Sequence, residues 1–482
     1  MGSLKNKAVG GMIWKTIEQI GLQSIQFLIS VVLARLLLPE HYGTIAVILV
    51  FINISNSLIQ SGFNTALIQT KTLSSTDSSS VFYLMLGVSL IIYSFIFISA
   101  PFIASFFEFD DFVWALRSMS ILLILGPFRS IQHAKAMREF LFRQSMICTL
   151  IGVIVQGCVG IGMAYQGYGV WSLVVSVVAS QITICIMQSV LIRWRPKKIF
   201  SMQAIKKLWK FGSHLFVAEL LTITYANASS FIVGRLYNRV ELGFYYQGYN
   251  TPNVFMSGVI DAANSVALPI MSSQQSNIPY VKAIFRKMSA LLTYVMFPLT
   301  LGLFAISYDF VAVVLTAKWL PCVPYMQLSC IMMLFYPFRM QNQAINSIGK
   351  SEISLKVNLV RSLLGIAVII MAAQISIEVM IIGATIVEAL VVIMFSAYIK
   401  QNLDFPYKEQ FKDVLPNLVI AITMCTTVYL MQYLFPTPSV ISLIIKVASG
   451  VVIYILLSYL TKNESFLAII EILKENIWSK KS

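Results

Sequence analysis

Apolar runs of about 20 residues, separated by short polar and basic stretches, recur along the whole chain. A run of that length lets a helix cross a hydrocarbon core of about 30 Å. The pattern predicts an all-α integral membrane fold of about fourteen transmembrane helices, over 12–37, 42–63, 79–105, 113–133, 144–165, 169–192, 208–236, 242–268, 286–307, 323–344, 354–375, 377–399, 414–435 and 439–460. An even number of spans puts both termini on one side. If that side is the cytoplasm, most cations lie inside, notably Arg193, Arg195, Lys197, Lys198, Lys206, Lys207 and Lys210; Arg35, Arg117, Arg235, Arg239 and Lys318 lie opposite. This is the positive-inside distribution, and a span miscounted in the middle of the chain would destroy it. The acidic group Glu108, Asp110 and Asp111 falls outside.

The first run follows Lys5 and Lys7 and ends near the small residue Ala34, as a signal peptide would, but Glu18, Gln19, Gln23 and Gln26 interrupt its core, so it reads as a retained helix. Over 463–481, Phe466, Ile469, Ile470, Leu473, Ile477 and Trp478 make one apolar face, which predicts an amphipathic helix on the cytoplasmic surface.

The pattern also repeats. Ala34-Arg35-Leu36 followed by Gly43 returns as Gly234-Arg235-Leu236 followed by Gly243; Asn53, Ser57 and Asn64 return as Asn253, Ser257 and Asn264. Pro127-Phe128-Arg129 with Ala134 returns, at a slightly longer displacement, as Pro337-Phe338-Arg339 with Ala344. Three matches in order argue against chance. Six spans lie within the displacement, so the copies enter from the same side as parallel repeats, an arrangement in which transporters place substrate between halves. The expected organisation is an N-lobe over 1–200, a C-lobe over 201–400, and two further spans with the tail over 401–482.

Intramembrane polar groups must face protein or water, so polar residues at helical spacing mark an interior surface. The first span carries Lys15, Gln19, Gln23, Gln26 and Ser30; the second carries Asn53, Asn56, Ser57, Gln60 and Asn64. Their repeat partners carry His214, Thr222, Tyr225 and Ser229, and Asn250, Asn253, Ser257, Asp261 and Asn264. Each amide taken singly is also explained by helix-to-helix hydrogen bonding, worth about 0.6 to 2 kcal/mol. Four stripes on repeat-related helices favour a hydrated cavity whose neutral donors and acceptors suit sugars. Lys15, Arg117 and Arg361 are candidates to meet a diphosphate, with snorkelling to the interface as the alternative at span ends. Arg35 and Arg235 read as helix anchors. Glu18, Glu219, Asp261 and Glu388 are candidate carriers of a coupling H⁺ or Na⁺, or ion-pair partners of Lys15 and Arg361. Asp261 is the first choice, because it lies on a stripe with no cation nearby in sequence. Pro127, Pro252, Pro298 and Pro337 supply bending points.

Composition agrees that lipid is the solvent: 58% of residues are hydrophobic, 11% are charged, and mean hydropathy is +0.80, against about 25% charged in soluble domains. The net charge of +15 does not indicate nucleic acid, since the cations sit between apolar runs rather than on one soluble face. Six cysteines inside apolar runs read as small hydrophobes, and three scattered histidines lack ligand spacing, so neither a metal nor a cofactor is expected. No Gly-x-x-x-x-Gly-Lys sequence indicates an ATP site.

The segments "VLARLLLPEHYG" and "SGFNTALIQ", the Pro-Phe-Arg of the fourth span with its basic loop, and "GYGVWSLV" over 167–174 resemble the polysaccharide transporter branch of the multidrug/oligosaccharidyl-lipid/polysaccharide exporter superfamily, which contains the Wzx-type flippases. The resemblance covers the whole chain. It implies a V-shaped pair of six-helix lobes in a bacterial inner membrane, alternating between faces. The implied cargo is an undecaprenyl-diphosphate-linked oligosaccharide for O-antigen, capsule or exopolysaccharide, with a polymerase and other assembly proteins as candidate partners. An ion-coupled small-molecule or drug exporter is the alternative within the superfamily. A membrane glycan polymerase or ligase would need a large extracytoplasmic loop bearing catalytic charges, and the longest one expected, near 306–323, holds little beyond Asp309 and Lys318. No enzymatic activity is expected.

Overall fold

The computed structural model describes residues 21–478 apart from 61, 64, 65, 68, 69, 71–73, 110 and 111; the side chains of 207, 210–215, 218 and 472–478 also lie outside the description. Lys15, Glu18 and Gln19 therefore fall outside it, as does the side chain of His214. The described chain is all-helical, with no strand. In order it runs α1 (Gly21–Leu36), α2 (Pro39–Gln60), α3 (Ser75–Phe107), α4 (Phe112–Arg138), α5 (Phe142–Tyr165), α6 (Val170–Leu191), α7 (Met202–Leu236) and α8 (Arg239–Ser272). It continues as α9 (Ile278–Phe310), the broken α10 (Val323–Met333, then Tyr336–Ser347), α11 (Ser351–Ala372), α12 (Ile377–Leu403), α13 (Tyr407–Leu430), α14 (Val440–Leu460) and α15 (Glu464–Trp478).

Among the described residues, eleven helices are long and apolar enough to cross a membrane, or up to twelve if α10 is one span bent by 41° where Pro337 opens its second half. The expected fourteen is not confirmed among the described residues, where α1 begins only at Gly21 and several side chains of α7 lie outside the description. Exposed Ile91, Phe95, Phe102, Leu363, Ile393 and Val451 give these helices the apolar outer surface that lipid requires.

Local sequence explains the boundaries. Ser74 caps α3 reciprocally with Asp77, and Ser201, Asn277, Ser376 and Ser439 accept from the first turns of α7, α9, α12 and α14. Gly167 and Gly169 hold φ of +80° and +53°, backbone that side chains disfavour, and so turn α5 tightly into α6.

The contacts divide the chain into two units, Met1–Tyr246 and Gln247–Ser482. In unit 1, α7 packs on α2 and α3. The first turns of α2 and α8 meet there reciprocally: a Cβ on Gly43 would stand 1.9 Å from the Arg239 carbonyl oxygen, and one on Gly243 would stand 1.9 Å from that of Pro39. Arg239 Nη2 pairs with Glu40 Oε2 at 3.2 Å beside this contact. Part of the basic stretch after α6 is tied to α3, where the Lys197 and Ser201 amides donate to Ser79 and Ser80 hydroxyls.

In unit 2, α13 and α14 pack on α9 through Tyr294, Phe297, Ile420, Met424 and Tyr454, and Phe466 and Ile469 seat α15 on the same core. The expected amphipathic helix thus forms, with Phe466 and Ile469 turned into protein. The expected external loop near 306–323 is largely structured. Helix α9 runs through Asp309 and continues as a π-turn to Leu315, followed by a 3-10 turn over Ala317–Cys322. Asp309 is not a loop charge: it is 6% exposed and accepts from Lys446 Nζ of α14, itself 2% exposed, at 2.7 Å. Burial of either charge alone would be prohibitive, which is why the two occur together.

Candidate functional site

Unit 1 contains a pocket of about 440 Å³ walled by α2, α4 and α6. Helical spacing brings Asn53, Asn56 and Gln60 to it from α2; α4 contributes Arg129, Ser130 and His133, and α6 contributes Gln181. Gly126 keeps α4 close, since a Cβ there would stand 3.3 Å from Asn56 Oδ1. Arg129 Nη1 donates to Gln181 Oε1 at 2.7 Å, which orients the guanidinium while leaving further N–H groups for a ligand. Asn53 Nδ2 donates to Asn227 Oδ1 of α7 at 3.1 Å, so this amide both lines the pocket and bonds a neighbouring helix. The Ser130 hydroxyl is buried with no hydrogen-bond partner among the described residues. The wall therefore offers amides, a hydroxyl and one cation.

The other α4 cations are structural. Lys135 donates to the Ile192 carbonyl at 3.1 Å, and Arg138 donates to those of Leu67 and Thr70 at 2.9 and 2.6 Å. Arg117 lies outside the pocket lining; its Nε donates to the Phe97 carbonyl at 3.0 Å and its guanidinium lies 4.2 Å over the Phe97 ring. Gln23 is half-buried and Gln26 exposed on α1, Tyr225 is half-buried on α7, and Glu219 is exposed there; none lines the pocket.

In unit 2 two of the intramembrane charges find each other. Arg361 of α11 gives Glu388 of α12 a hydrogen bond from Nε at 2.9 Å and a second from Nη2, both to Oε1. Arg339, from the broken α10, lies within electrostatic reach of the same carboxylate. Its guanidinium stacks 3.6 Å over the Tyr336 ring, whose hydroxyl meets that of Tyr249 at 3.2 Å. Arg339 Nε is buried without a hydrogen-bond partner among the described residues, as are Gln341 Oε1 and Asn346 Oδ1 nearby in the sequence. Two arginines around one carboxylate leave a net positive centre. Asn250, Asn253 and Asn264 are half-buried along α8, and Asp261 is exposed on it.

Sequence reasoning passed over Arg129 and Arg339 as site residues, although both stand in the repeated Pro-Phe-Arg. A cation kept in both copies inside an apolar run was the available signal. No group of three His, Cys, Asp or Glu suited to a metal occurs among the described residues.

Comparison with known proteins agrees with this architecture. The chain is 22% identical over 443 residues to the lipopolysaccharide biosynthesis protein WzxC of Escherichia coli K12, covering 87% of this chain and 88% of that one. It is 22% identical over 334 residues to the teichuronic acid biosynthesis protein TuaB of Bacillus subtilis 168, covering 69% of each. Among solved structures, the lipid II flippase MurJ in an inward closed conformation superposes with a TM-score of 0.77 at 13% identity, covering 93% of this chain and 98% of that one, a likeness of fold. With a match to the model for polysaccharide biosynthesis proteins over residues 32–324, the chain belongs to that family, in the polysaccharide transporter branch of the multidrug/oligosaccharidyl-lipid/polysaccharide exporter superfamily.

Proposed function

We propose that this chain is a flippase that carries undecaprenyl-diphosphate-linked oligosaccharide repeat units from the cytoplasmic to the outer face of a bacterial inner membrane by alternating access, with both termini in the cytoplasm. The observation that carries the reading is the pocket of unit 1, where Asn53, Asn56, Gln60 and Gln181 stand beside Arg129 in a chain of this family. Amides match sugar hydroxyls without fixing one sugar. A guanidinium matches a phosphate oxygen pair. Relatives named for lipopolysaccharide and teichuronic acid biosynthesis, and a shared fold with a lipid II flippase, support a lipid-linked glycan as cargo.

The organisation we propose keeps the lobes of the internal repeat, 1–200 and 201–400, each with its own Pro-Phe-Arg arginine suited to an anionic group. The lipid tail stays in the bilayer. Coupling to H⁺ or Na⁺ falls to the intramembrane carboxylates, Asp261 first, and no catalytic step is assigned. A drug exporter of the same superfamily is the second reading; the cationic centres at Arg129 and Arg339 favour an anionic cargo instead.

Deleting the gene tests the proposal. The expected result is loss of surface polysaccharide with lipid-linked repeat units accumulating on the cytoplasmic side. Normal surface polysaccharide in a strain without a redundant transporter overturns it.

A further inference from the structure

A second cavity lies in unit 2, away from the arginine centre. It is an open cleft of about 960 Å³ between α9, α13 and the start of α15, within the size range of small-molecule sites. Its floor is a buried amide chain: Asn463 Nδ2 donates to Asn417 Oδ1 at 2.9 Å, and Asn417 Nδ2 donates to the Ala290 carbonyl at 3.0 Å and Thr293 Oγ1 at 2.9 Å. Asn463 Oδ1 accepts the backbone N–H groups of Ser465 and Phe466, which fixes the first turn of α15 to this floor.

The walls are charged. Asp413 is held by Arg286 through two bonds of 2.7 and 2.8 Å, and Glu409 lies 3.6 Å from Lys282 and 3.7 Å from Arg286. Glu464 is the remaining carboxylate, within electrostatic reach of Arg286. Lys287, Lys412 and Lys462 also line the cleft, are exposed, and hold no ion pair among the described residues. With Arg286 these make four lining cations beside three carboxylates, and Lys282 stands at the edge through its contact with Glu409. Phe411 and Leu415 of α13, flanking Lys412 in the sequence, are exposed apolar groups of the kind an acyl chain covers.

A rigid polar floor, an excess of uncommitted ammonium groups and an apolar flank at the end of membrane helices match a phosphodiester headgroup, since basic pockets between spans recognise anionic lipids. We propose that this cleft binds the phosphate of an anionic phospholipid from the surrounding leaflet, clamping α15 to α9 and α13. The site is independent of the transported cargo, so its failure and that of the flippase reading are distinguishable.

The test uses the purified full chain in detergent, titrated with dioctanoyl phosphatidylglycerol, dioctanoyl phosphatidylcholine or inorganic phosphate, and reads the shift in unfolding temperature and the lipid retained in native mass spectrometry. Phosphatidylglycerol is expected to stabilise saturably, and the other two are not. Each lysine neutralised should weaken phosphatidylglycerol about fivefold, and K287Q/K412Q/K462Q on the order of a hundredfold. The control R193Q/R195Q/K198Q, on the basic stretch of unit 1, should leave the affinity unchanged. If the triple variant does not fold, the single variants and K287R/K412R/K462R, expected to retain binding, carry the same test. Wild-type affinity in the neutralised variants overturns the site. Equal stabilisation by phosphatidylcholine overturns recognition of net charge. Equal stabilisation by inorganic phosphate overturns the lipid assignment in favour of a free phosphate.

Discussion

Replacing Gly43 by alanine sets two effects of opposite sign against each other. Helix propensity alone favours alanine by about 1 kcal/mol. Packing opposes it: the new Cβ would stand 1.9 Å from the Arg239 carbonyl oxygen and 2.8 Å from its carbon, where real Cβ atoms essentially never come within 3.0 Å. The first turns of α2 and α8 must then separate by about 1 Å, and because the obstructing atoms are backbone, no rotamer change relieves the clash. Overpacking of this kind costs about 1 to 3 kcal/mol, and the rigid partner places it at the upper end. The net expectation is destabilisation of about 2 kcal/mol, with the Glu40–Arg239 pair weakened by the same separation. Gly243→Ala meets the Pro39 carbonyl at the same 1.9 Å and should cost as much. Both substitutions demand the same movement, so the double variant should cost clearly less than the sum of the singles. Thermal unfolding in detergent reads this through a thiol-reactive dye, since Cys148, Cys185, Cys322 and Cys330 are buried. Gly87→Ala, an exposed helical position with nothing within 4 Å of the added carbon, is the control and should be neutral or stabilising. A neutral Gly43→Ala, or an additive double variant, refutes the reasoning.

Three other expectations follow from named contacts. Lys446→Met leaves Asp309 buried and unpaired and should cost about 3 to 5 kcal/mol, whereas K446M/D309L should recover most of that stability; equal unfolding temperatures for wild type and the single variant would contradict it. Arg129→Gln should lower export of the lipid-linked glycan more than tenfold with little change in unfolding temperature, Arg339→Gln should lower both because it also removes the stacking on Tyr336, and Arg117→Gln should lower the unfolding temperature with little change in export, because it breaks the bond to Phe97 and the ring stacking; surface polysaccharide and thermal unfolding of each variant decide it. Transport by Asp261→Asn should lose its response to an imposed pH or Na⁺ gradient, and an unchanged response removes Asp261 from the coupling role.

Much of the fold was legible because lipid imposes a one-dimensional rule: a helix that crosses it needs a long apolar run, and such runs can be read off the sequence. The structure gives the repeated Gly43 and Gly243 a physical meaning, since they sit at one reciprocal contact where only a missing side chain fits. The "PEHYG" segment is likewise an elbow: Pro39 opens α2, His41 Nδ1 accepts the Leu38 amide at 3.2 Å, Glu40 reaches Arg239, and Gly43 permits the contact.

What one dimension hides is which polar groups meet. Arg361 and Glu388 stood either as separate candidates, one for phosphate and one for an ion, or as an ion pair, and the pair is what forms once α11 and α12 pack. Asp309 looked like a loop charge because its partner, Lys446, is 137 positions further on. Arg129 looked like a repeat marker until α2 and α6 supplied the amides around it. Each pairing consumes charge that a sequence count leaves available. The cations that matter for an anionic ligand are those left over after packing among the described residues: Arg339, with an unpartnered Nε, Arg129, held by the neutral amide of Gln181, and the three lysines of the α9–α13 cleft. Their substitution should change ligand binding, whereas that of the paired charges should change stability first.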